Sequence, residues 1–409
     1  MKGRIFIIIT ILVFLVSCEK GETDNTILKF YSKSYKETGN SVAIAENGTG
    51  ETYYYICGQF TESLSRDAAG KPGVYKAGED GNLVGSAVTL ADYTGSASKV
   101  IISDDGNIVC TGYVISSNSE KDILVWKLNP DLTTDKVHVY PNVDNQYGID
   151  IIETSDGFLV LAATDSKREP EGEMTGNPKG KKDILLLKIN SNLEAVSAIP
   201  AVGFNGNDEG VAVKKELNGG FIVVGTTDFS DRPSSEQSGT NIIIVRLNSE
   251  GNTTEPRIVG GTENEAASDF EVLNDGYLIA GTTGIAGTTL QGHIWKMQQN
   301  IYDTTEFNHP IDLEPLVTNK TPYSIKSICR YKTNSYIVAG QFNTGLSARM
   351  LVFSVDSYGT PDMNRIKKTG GTGTQVANDV VTDSSGNIIA VGNNSYENNS
   401  MICFLKFWF

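Results

Sequence analysis

The stretch Phe221-Ile-Val-Val-Gly225 shows the unit from which the whole chain is built. A short hydrophobic burst closes on Gly, and after a polar loop a second burst, Asn241 to Leu247, carries a basic residue near its end. Such bursts are too short for helices and are typical of strands. The unit recurs with a period of roughly 50 to 60 residues, which is typical of a β-propeller blade. The first burst occurs at 53–58, 107–112, 158–162, 221–225, 277–281, 336–340 and 387–392.

Each unit predicts four antiparallel strands, A to D in chain order, joined by tight turns such as Asn218-Gly219-Gly220. The last unit ends after its C strand, at Phe404 to Phe409, with no chain left for a D strand. The segment Ile27 to Tyr35 matches a D strand, and we expect it to complete blade 7 by pairing with that C strand. The sequence therefore predicts an all-β fold over residues 27–409, a seven-bladed β-propeller of four-stranded antiparallel blades closed by an N-terminal strand.

The first residues have the layout of a secretory signal, because basic residues precede the apolar run Ile5 to Val16. The run ends in Leu15-Val-Ser-Cys18, which resembles the bacterial lipobox, whose Cys receives a lipid. We expect residues 1–17 to be a lipoprotein signal peptide and residues 18–26 to be the lipidated Cys and its tether. The expected location is the cell envelope, as an outer-membrane lipoprotein bound to the membrane through Cys18, with the periplasmic and surface-exposed sides both open.

Composition limits the partners. The formal net charge is −15, so the protein repels nucleic acid, and we expect no nucleic-acid partner and a monomeric propeller. Four further cysteines fall in strands of four different blades and are expected to be small buried side chains. A disulfide between two of them, Cys57 and Cys110, stays open at this stage.

The B–C and D–A connections share one face of the ring, here called the upper face, and the A–B and C–D turns share the lower face. The upper face carries long polar B–C loops, so we predict it to be the binding surface, although the loops could merely tolerate insertion. Three loops begin with an acid followed by an arginine, which indicates either local turn structure or a ligand-facing set. The pairs are Glu62 with Arg66, Asp165 with Arg168, and Asp228 with Arg232, and the B–C loops run over 61–72, 114–121, 164–182 and 226–240.

The A strands should line the axis of the ring, and one aligned column of them is charged. Lys99 is expected to pair with Asp150, and Lys326 to lie between Asp269 and Asp379. The alternative is a cation or ligand site in the channel. The aligned column reads Ala43, Lys99, Asp150, Ala212, Asp269, Lys326 and Asp379.

Enzyme signatures are not apparent in the sequence. We find no nucleophile elbow, no phosphate-binding Gly loop and no metal-ligand spacing among the three His, so no cofactor, metal or catalytic residue is predicted. A pair of glycosidase carboxylates is not excluded by counting, because acids are abundant.

The stretch Val376 to Gly392 resembles the bacterial seven-bladed β-propeller repeat family that occurs in exported proteins and Bacteroidota lipoproteins. The resemblance covers residues 27 to 409 and implies the fold, but no catalytic residues. We therefore expect a lipid-anchored cell-envelope propeller that acts as a non-enzymatic binding or scaffold module for an unknown protein or glycan. The alternative is a carbohydrate-active enzyme, a glycosidase or lyase, on a propeller scaffold.

The lipobox gives a first prediction. Cys18→Ala should leave the protein soluble, or held only by its uncleaved signal, because the Cys18 thiol is the acceptor that the motif presents for lipid. Partitioning of the wild type and the variant into a detergent phase measures this. Partitioning that does not change in the variant contradicts the lipoprotein interpretation.

Overall fold

The computed structural model describes residues 25–32, 36–61, 69–141, 144–165, 181–228, 239–249, 252–254, 256–260, 263–284, 291–299, 323–344, 347–370, 372–397 and 399–409. These ranges contain 27 β-strands in seven antiparallel sheets and no helix. Within them, six sheets have four strands and blade 5 has three. The predicted seven-bladed propeller is thus confirmed. None of the described residues belongs to a helix long and apolar enough to cross a membrane.

The strands of each blade follow one another in the sheet in chain order, from A at the inside to D at the outside. Blade 1 contains β2 (Thr38–Glu46), β3 (Thr52–Phe60), β4 (Lys71–Ala77) and β5 (Val88–Thr89), and blade 2 contains β6 (Gly95–Ile102), β7 (Ile108–Ile115), β8 (Lys121–Leu128) and β9 (Thr134–Tyr140). Blade 3 contains β10 (Gln146–Thr154), β11 (Gly157–Thr164), β12 (Asp183–Asn190) and β13 (Ala195–Val202), and blade 4 contains β14 (Asp208–Lys215), β15 (Phe221–Thr227), β16 (Asn241–Leu247) and β17 (Arg257–Val259).

The remaining blades continue this order. Blade 5 contains β18 (Asn264–Val272), β19 (Gly276–Gly284) and β20 (Gln291–Gln298), and blade 6 contains β21 (Tyr323–Lys332), β22 (Ser335–Asn343), β23 (Ala348–Asp356) and β24 (Pro361–Thr369). Blade 7 contains β25 (Thr374–Thr382), β26 (Ile388–Tyr396) and β27 (Asn399–Phe407), with β1 (Ile27–Tyr31) as its outer strand.

Both chain ends meet in blade 7, as predicted. Strand β1 pairs antiparallel with β27, so that Ile27 lies opposite Lys406 and Tyr31 opposite Ile402. The Tyr31 hydroxyl also donates a hydrogen bond to the Gly81 carbonyl in blade 1 (2.7 Å). Closure therefore depends on a short strand that is held by two blades at once.

The hydrophobic core lies between neighbouring blades. One cluster joins blades 7 and 1 through Tyr54, Ile56, Ile389 and Phe404, all of which are fully buried. Another joins blades 1 and 2 and contains Cys57 and Cys110. Because each sheet buries both faces against its neighbours, removing one strand affects the packing of more than one blade.

The Gly that closes most B strands allows a close approach of two backbones. A Cβ on Gly58 would lie 1.8 Å from the Thr38 carbonyl oxygen, and one on Gly392 would lie 1.9 Å from that of Val376. In both blades the facing A strand contains a one-residue register shift next to this contact. The bulge of the A strand thus lies against the B-strand Gly, and a side chain at these positions would block the close approach.

In three blades the basic residue near the end of the C strand forms an ion pair with an acid on the lower face. Lys127 lies 2.9 Å from Asp105, which is in the A–B turn of the same blade, and Arg246 lies 2.6 Å from Glu216. Lys296 pairs with Asp275 in the same way (2.6 Å). In blades 2, 4 and 5 this Lys or Arg thus holds an acidic A–B turn against its own blade.

The four cysteines of the described residues are free thiols. Cys57, Cys110 and Cys403 are buried, whereas Cys329 is half-buried. The Cys57 and Cys110 side chains contact each other across blades 1 and 2, and burial, followed by this contact, raises the pKa of the Cys110 thiol well above its usual value. The Cys110 thiol is therefore protonated at neutral pH.

Ring closure gives the second prediction. A shortened protein that begins at Ser32 lacks β1, and its free energy of unfolding should be lower by about 4 kcal/mol. The change uncovers the outer edge of β27 and removes three partly or fully buried apolar side chains. Truncation at Asn25, which keeps β1, is the matched control. Urea unfolding of the two proteins measures the difference. Equal midpoints would show that β1 does not stabilise the ring.

Candidate functional site

The A strand of every blade contains a one-residue bulge, and the residue after the bulge turns toward the next blade. The register shifts occur between Gly39 and Ser41 in blade 1, for example, and between Ile325 and Ser327 in blade 6. The column after the bulge is Ser41, Lys99, Asp150, Ala212, Asp269, Ser327 and Asp379.

Two members of the predicted column are therefore wrong. Ser41 occupies the place predicted for Ala43, and Ser327 occupies the place predicted for Lys326. Lys326 is itself the extra residue of the bulge, and its side chain is exposed. The error arises because strict two-residue alternation cannot locate an inserted residue.

The three aspartates of this column tie neighbouring blades together. Asp150 accepts a hydrogen bond from the Val213 N–H of blade 4 (2.9 Å). Asp269 accepts one from Ile328 N–H of blade 6 (3.0 Å). In the same way, Asp379 in blade 7 accepts one from the Val42 N–H of blade 1 (3.1 Å). Each carboxylate thus satisfies a backbone donor that would otherwise face the channel.

Ion pairs in the channel differ from those predicted. Lys99 forms its ion pair with Asp379, at 3.2 Å from Nζ to Oδ2, and not with Asp150. Burial lowers the pKa of Lys99, but Asp379 and two further aspartates outweigh it and raise the pKa overall. Burial raises the pKa of Asp150, against the opposing charge of Lys99. Lys326 forms no ion pair with any described residue.

A cavity of about 410 Å³ lies on the axis, within the range of about 300–1,000 Å³ that small-molecule sites occupy. Its lining includes the bulge residues Ile149, Val211 and Lys326 together with Asp150 and Asp379. No group of three or more His, Cys, Asp or Glu in the described part of the chain is arranged to hold a metal ion. The cavity is therefore a polar pocket whose acids are largely used to join blades.

The loop acids Asp165 and Asp228 lie within the described residues, and both accept hydrogen bonds from neighbouring Asn residues. Asn145 Nδ2 donates to Asp165 Oδ2 (2.9 Å), and the Asn207 N–H donates to Asp228 Oδ1 (2.6 Å). Each acid fastens the start of a B–C loop to the D–A connection beside it. The other four residues of the predicted set lie outside the described residues. They are Glu62, Arg66, Arg168 and Arg232.

The B–C loop of blade 2 is shorter than predicted. Strand β7 extends to Ile115 and β8 begins at Lys121, so five residues connect them. Two of the long loops on the upper face therefore belong to the neighbouring blades 3 and 4, where the strands leave 165–182 and 228–240 between them.

A cluster that the sequence did not reveal lies on the upper face between blades 3 and 4. The Tyr147 hydroxyl donates to Glu209 Oε1 (2.6 Å), and Lys182 Nζ donates to the Tyr147 hydroxyl (2.8 Å) and to Glu209 Oε2 (3.0 Å). All three side chains are partly buried. Tyr147 and Glu209 stand at the same position of adjacent A strands, just before Gly148 and Gly210, and this alignment is the signal that could have found them.

The environment of this cluster suits proton transfer. Burial raises the pKa of Tyr147 to about 12, assisted by the hydrogen bond to Glu209 and opposed by Lys182. Burial lowers the pKa of Lys182, but Tyr147 and Glu209 outweigh this and raise it overall. At neutral pH the Tyr147 hydroxyl therefore keeps its proton, hydrogen-bonded to the Glu209 carboxylate and beside the Lys182 ammonium.

The cluster extends to blade 2 and stands at the rim of the cavity. Lys121 Nζ lies 4.2 Å from the ring centre of Tyr113 and 5.1 Å from that of Tyr147. Tyr147 and Glu209 each precede a cavity-lining residue by two positions, which corresponds to about 7 Å along a strand.

Comparison with solved structures identifies the fold in proteins of very different sequence. The ulvan lyase of polysaccharide lyase family PL25, solved bound to -[GlcA(1-4)Rha3S]-, is similar with a TM-score of 0.55 and 11% identity over 91% of this chain and 95% of that chain. Raptor of Chaetomium thermophilum has a TM-score of 0.52 and 8% identity over 91% of this chain, which spans 28% of Raptor. The GH93 alpha-L-arabinofuranosidase of Fusarium graminearum has a TM-score of 0.48 and 10% identity over 93% of this chain and 98% of that chain.

No protein-family model matches the sequence, and no curated protein matches it. The resemblance to the repeat family of Bacteroidota lipoproteins therefore stays a prediction, whereas the seven-bladed propeller is confirmed.

The expectation of a non-enzymatic binding or scaffold module is corrected by these comparisons. The ulvan lyase is an enzyme on the same fold, so a propeller without a recognised motif gives no ground for excluding catalysis. Catalytic groups that lie on separate strands, many residues apart, leave no short motif to detect.

The channel gives the third prediction. Asp379→Asn should lower the free energy of unfolding at pH 7 by about 3 kcal/mol, because it leaves the half-buried Lys99 without its ion pair and weakens the bonds to blade 1. Asp150→Asn is the matched control, since Asp150 lacks a lysine at ion-pair distance. Urea unfolding of both variants tests this, and an equal or smaller loss for Asp379→Asn would contradict it.

The pH dependence of the control has a definite sign. The folded pKa of Asp150 is raised, so its favourable contribution is present below the unfolded pKa and is lost as pH rises through the folded value. Relative to wild type, Asp150→Asn should therefore gain stability between about pH 4 and pH 7.

Proposed function

We propose that the protein is a carbohydrate-active enzyme that cleaves glycosidic bonds, with Tyr147, Glu209 and Lys182 as its reacting group. The hydrogen-bonded arrangement of these three side chains at the rim of the central cavity carries the proposal. The fold is shared with an ulvan lyase over most of both chains, which supports it without identifying a substrate.

The arrangement fits the proton movements that bond cleavage requires. Hydrolysis takes a proton from water, elimination takes one from a ring carbon beside a carboxylate, and both return a proton to the leaving oxygen. The Tyr147 oxygen would receive the first proton while its own proton moves to Glu209. Lys182 would give a proton to the leaving oxygen, and the proton taken up by Glu209 would then pass to Lys182, so that all three groups return to their starting states.

Position on the molecule also supports a polymeric substrate. The cluster is on the upper face, and Lys182 immediately precedes β12 at the end of the long B–C connection of blade 3. An open face above a cavity can accept a chain that extends beyond the reacting sugar. We also propose that the enzyme is monomeric and is held at the cell envelope by lipid on Cys18, which lies outside the described residues; the lipobox and the net charge support this.

The fourth prediction tests the activity. Wild type, Tyr147→Phe and Glu209→Gln are incubated with a panel of neutral and acidic polysaccharides. New reducing ends report either reaction, and ultraviolet absorbance of a new double bond reports elimination alone. Both variants should lose about 10²-fold or more of kcat/KM, because each removes one member of the proton-transfer pair.

Tyr358→Phe is the control, since Tyr358 is an exposed tyrosine near the lower turn between β23 and β24. The active-site variants should melt within about 4 °C of wild type, because each loses only partly buried hydrogen bonds. Undiminished turnover by a folded Tyr147→Phe variant, or no turnover by wild type on any polysaccharide of the panel, would overturn the proposed function.

A further inference from the structure

Lys121 is held in place by aromatic rings on the upper face. Its ammonium lies over the Tyr113 ring at 4.2 Å and near the Tyr147 ring at 5.1 Å. Its backbone N–H is fixed by Asn145 Oδ1 (3.0 Å). The side chain is half-buried at the first position of β8, so the charge is presented at the upper face in a defined place.

The charge of Lys121 is not neutralised by an acid in the described part of the chain. Lys99, Lys182 and Lys214, in contrast, each have a carboxylate within 3.2 Å. The formal net charge of the protein is −15, so acids are available in excess. A partly buried cation with rings but no carboxylate around it can bind an anion from outside without first breaking an ion pair.

Lys121 is also close to the reacting group. The Tyr147 ring lies within reach of two ammonium groups, because Lys182 Nζ is 5.4 Å from the ring centre that Lys121 approaches at 5.1 Å. Lys182 is engaged by Tyr147 and Glu209, whereas the Lys121 ammonium lies over two rings and forms no ion pair with the described residues. An anionic group bound to Lys121 would therefore sit beside the Tyr147 hydroxyl, one sugar ring or less from the bond that breaks.

We propose that the substrate is an acidic polysaccharide and that Lys121 binds the carboxylate or sulfate of the sugar at the cleaved bond. This rests on the proposed function and adds the substrate class and the residue that recognises it. The lysine acts on specificity and does not transfer a proton. Burial raises the pKa of the neighbouring Tyr113, which stays neutral and so does not repel the anion.

The test measures binding apart from turnover. The Tyr147→Phe protein, with and without Lys121→Met, is titrated with polygalacturonate and its carboxyl-reduced form, and with dextran sulfate and dextran. Lys121→Met should weaken binding of an acidic polymer about 10-fold or more and leave the neutral counterparts unchanged, while Lys121→Arg should restore it. The acidic partner that responds distinguishes carboxylate from sulfate.

Lys332→Met is the matched control, because Lys332 also lies over a tyrosine ring, that of Tyr331 at 4.5 Å, but at the lower end of β21. In the active enzyme, Lys121→Met should raise KM for an acidic substrate more than it lowers kcat, which a purely structural role would not produce.

The outcomes separate this inference from the function on which it rests. Equal binding by Lys121→Met, equal binding of acidic and neutral polymers, or no binding of any of the four polymers by the Tyr147→Phe protein overturns the inference. Turnover of a neutral polysaccharide that is lost in Tyr147→Phe would then leave the enzymatic function standing. Binding of acidic polymers through Lys121 without any turnover would remove the function and keep the anion site.

Discussion

The bulge in the A strand of each blade is the constraint on which the rest of the ring depends. By inserting one residue, it turns the next side chain toward the adjacent blade, where Asp150, Asp269 and Asp379 accept hydrogen bonds from backbone N–H groups. The B-strand Gly gives the inserted residue its room. Ser41 and Ser327 accept weaker bonds, at 3.4 Å, from Val100 and Val380.

Hydrogen bonds from the position after the bulge to the next blade are missing at two boundaries, between blades 2 and 3 and between blades 4 and 5. The Lys99 side chain cannot accept a hydrogen bond from a backbone N–H of blade 3, and the Ala212 side chain cannot accept one from blade 5. The cluster of Tyr113, Lys121, Tyr147, Lys182 and Glu209 spans blades 2 to 4 on the upper face and crosses the first of these boundaries. Most of the acids that line the channel thus join neighbouring blades, whereas the candidate site lies on the upper face.

The repeat predicted the blades because hydrophobic bursts, turn residues and the missing D strand are local signals. The C strand predicted at Asn241 to Leu247, for example, has those bounds in the structure. The channel column failed at Ala43 and Lys326, since an inserted residue leaves no mark in an alternating pattern. The cluster of Tyr147, Lys182 and Glu209 could not be predicted, because Tyr147 and Glu209 are 62 residues apart and meet only when neighbouring blades pack.

The position of β1 has a consequence for how the molecule would stand on a membrane. Because Ile27 lies opposite Lys406, near the end of β27, the chain enters the ring at the outer edge of the lower face. With lipid on Cys18, the residues before Ile27 would form a stalk of at most about 30 Å. The lower turns would then look toward the lipid headgroups, and the cavity rim would open outward, away from the bilayer, where long polymers can approach without steric hindrance from the membrane.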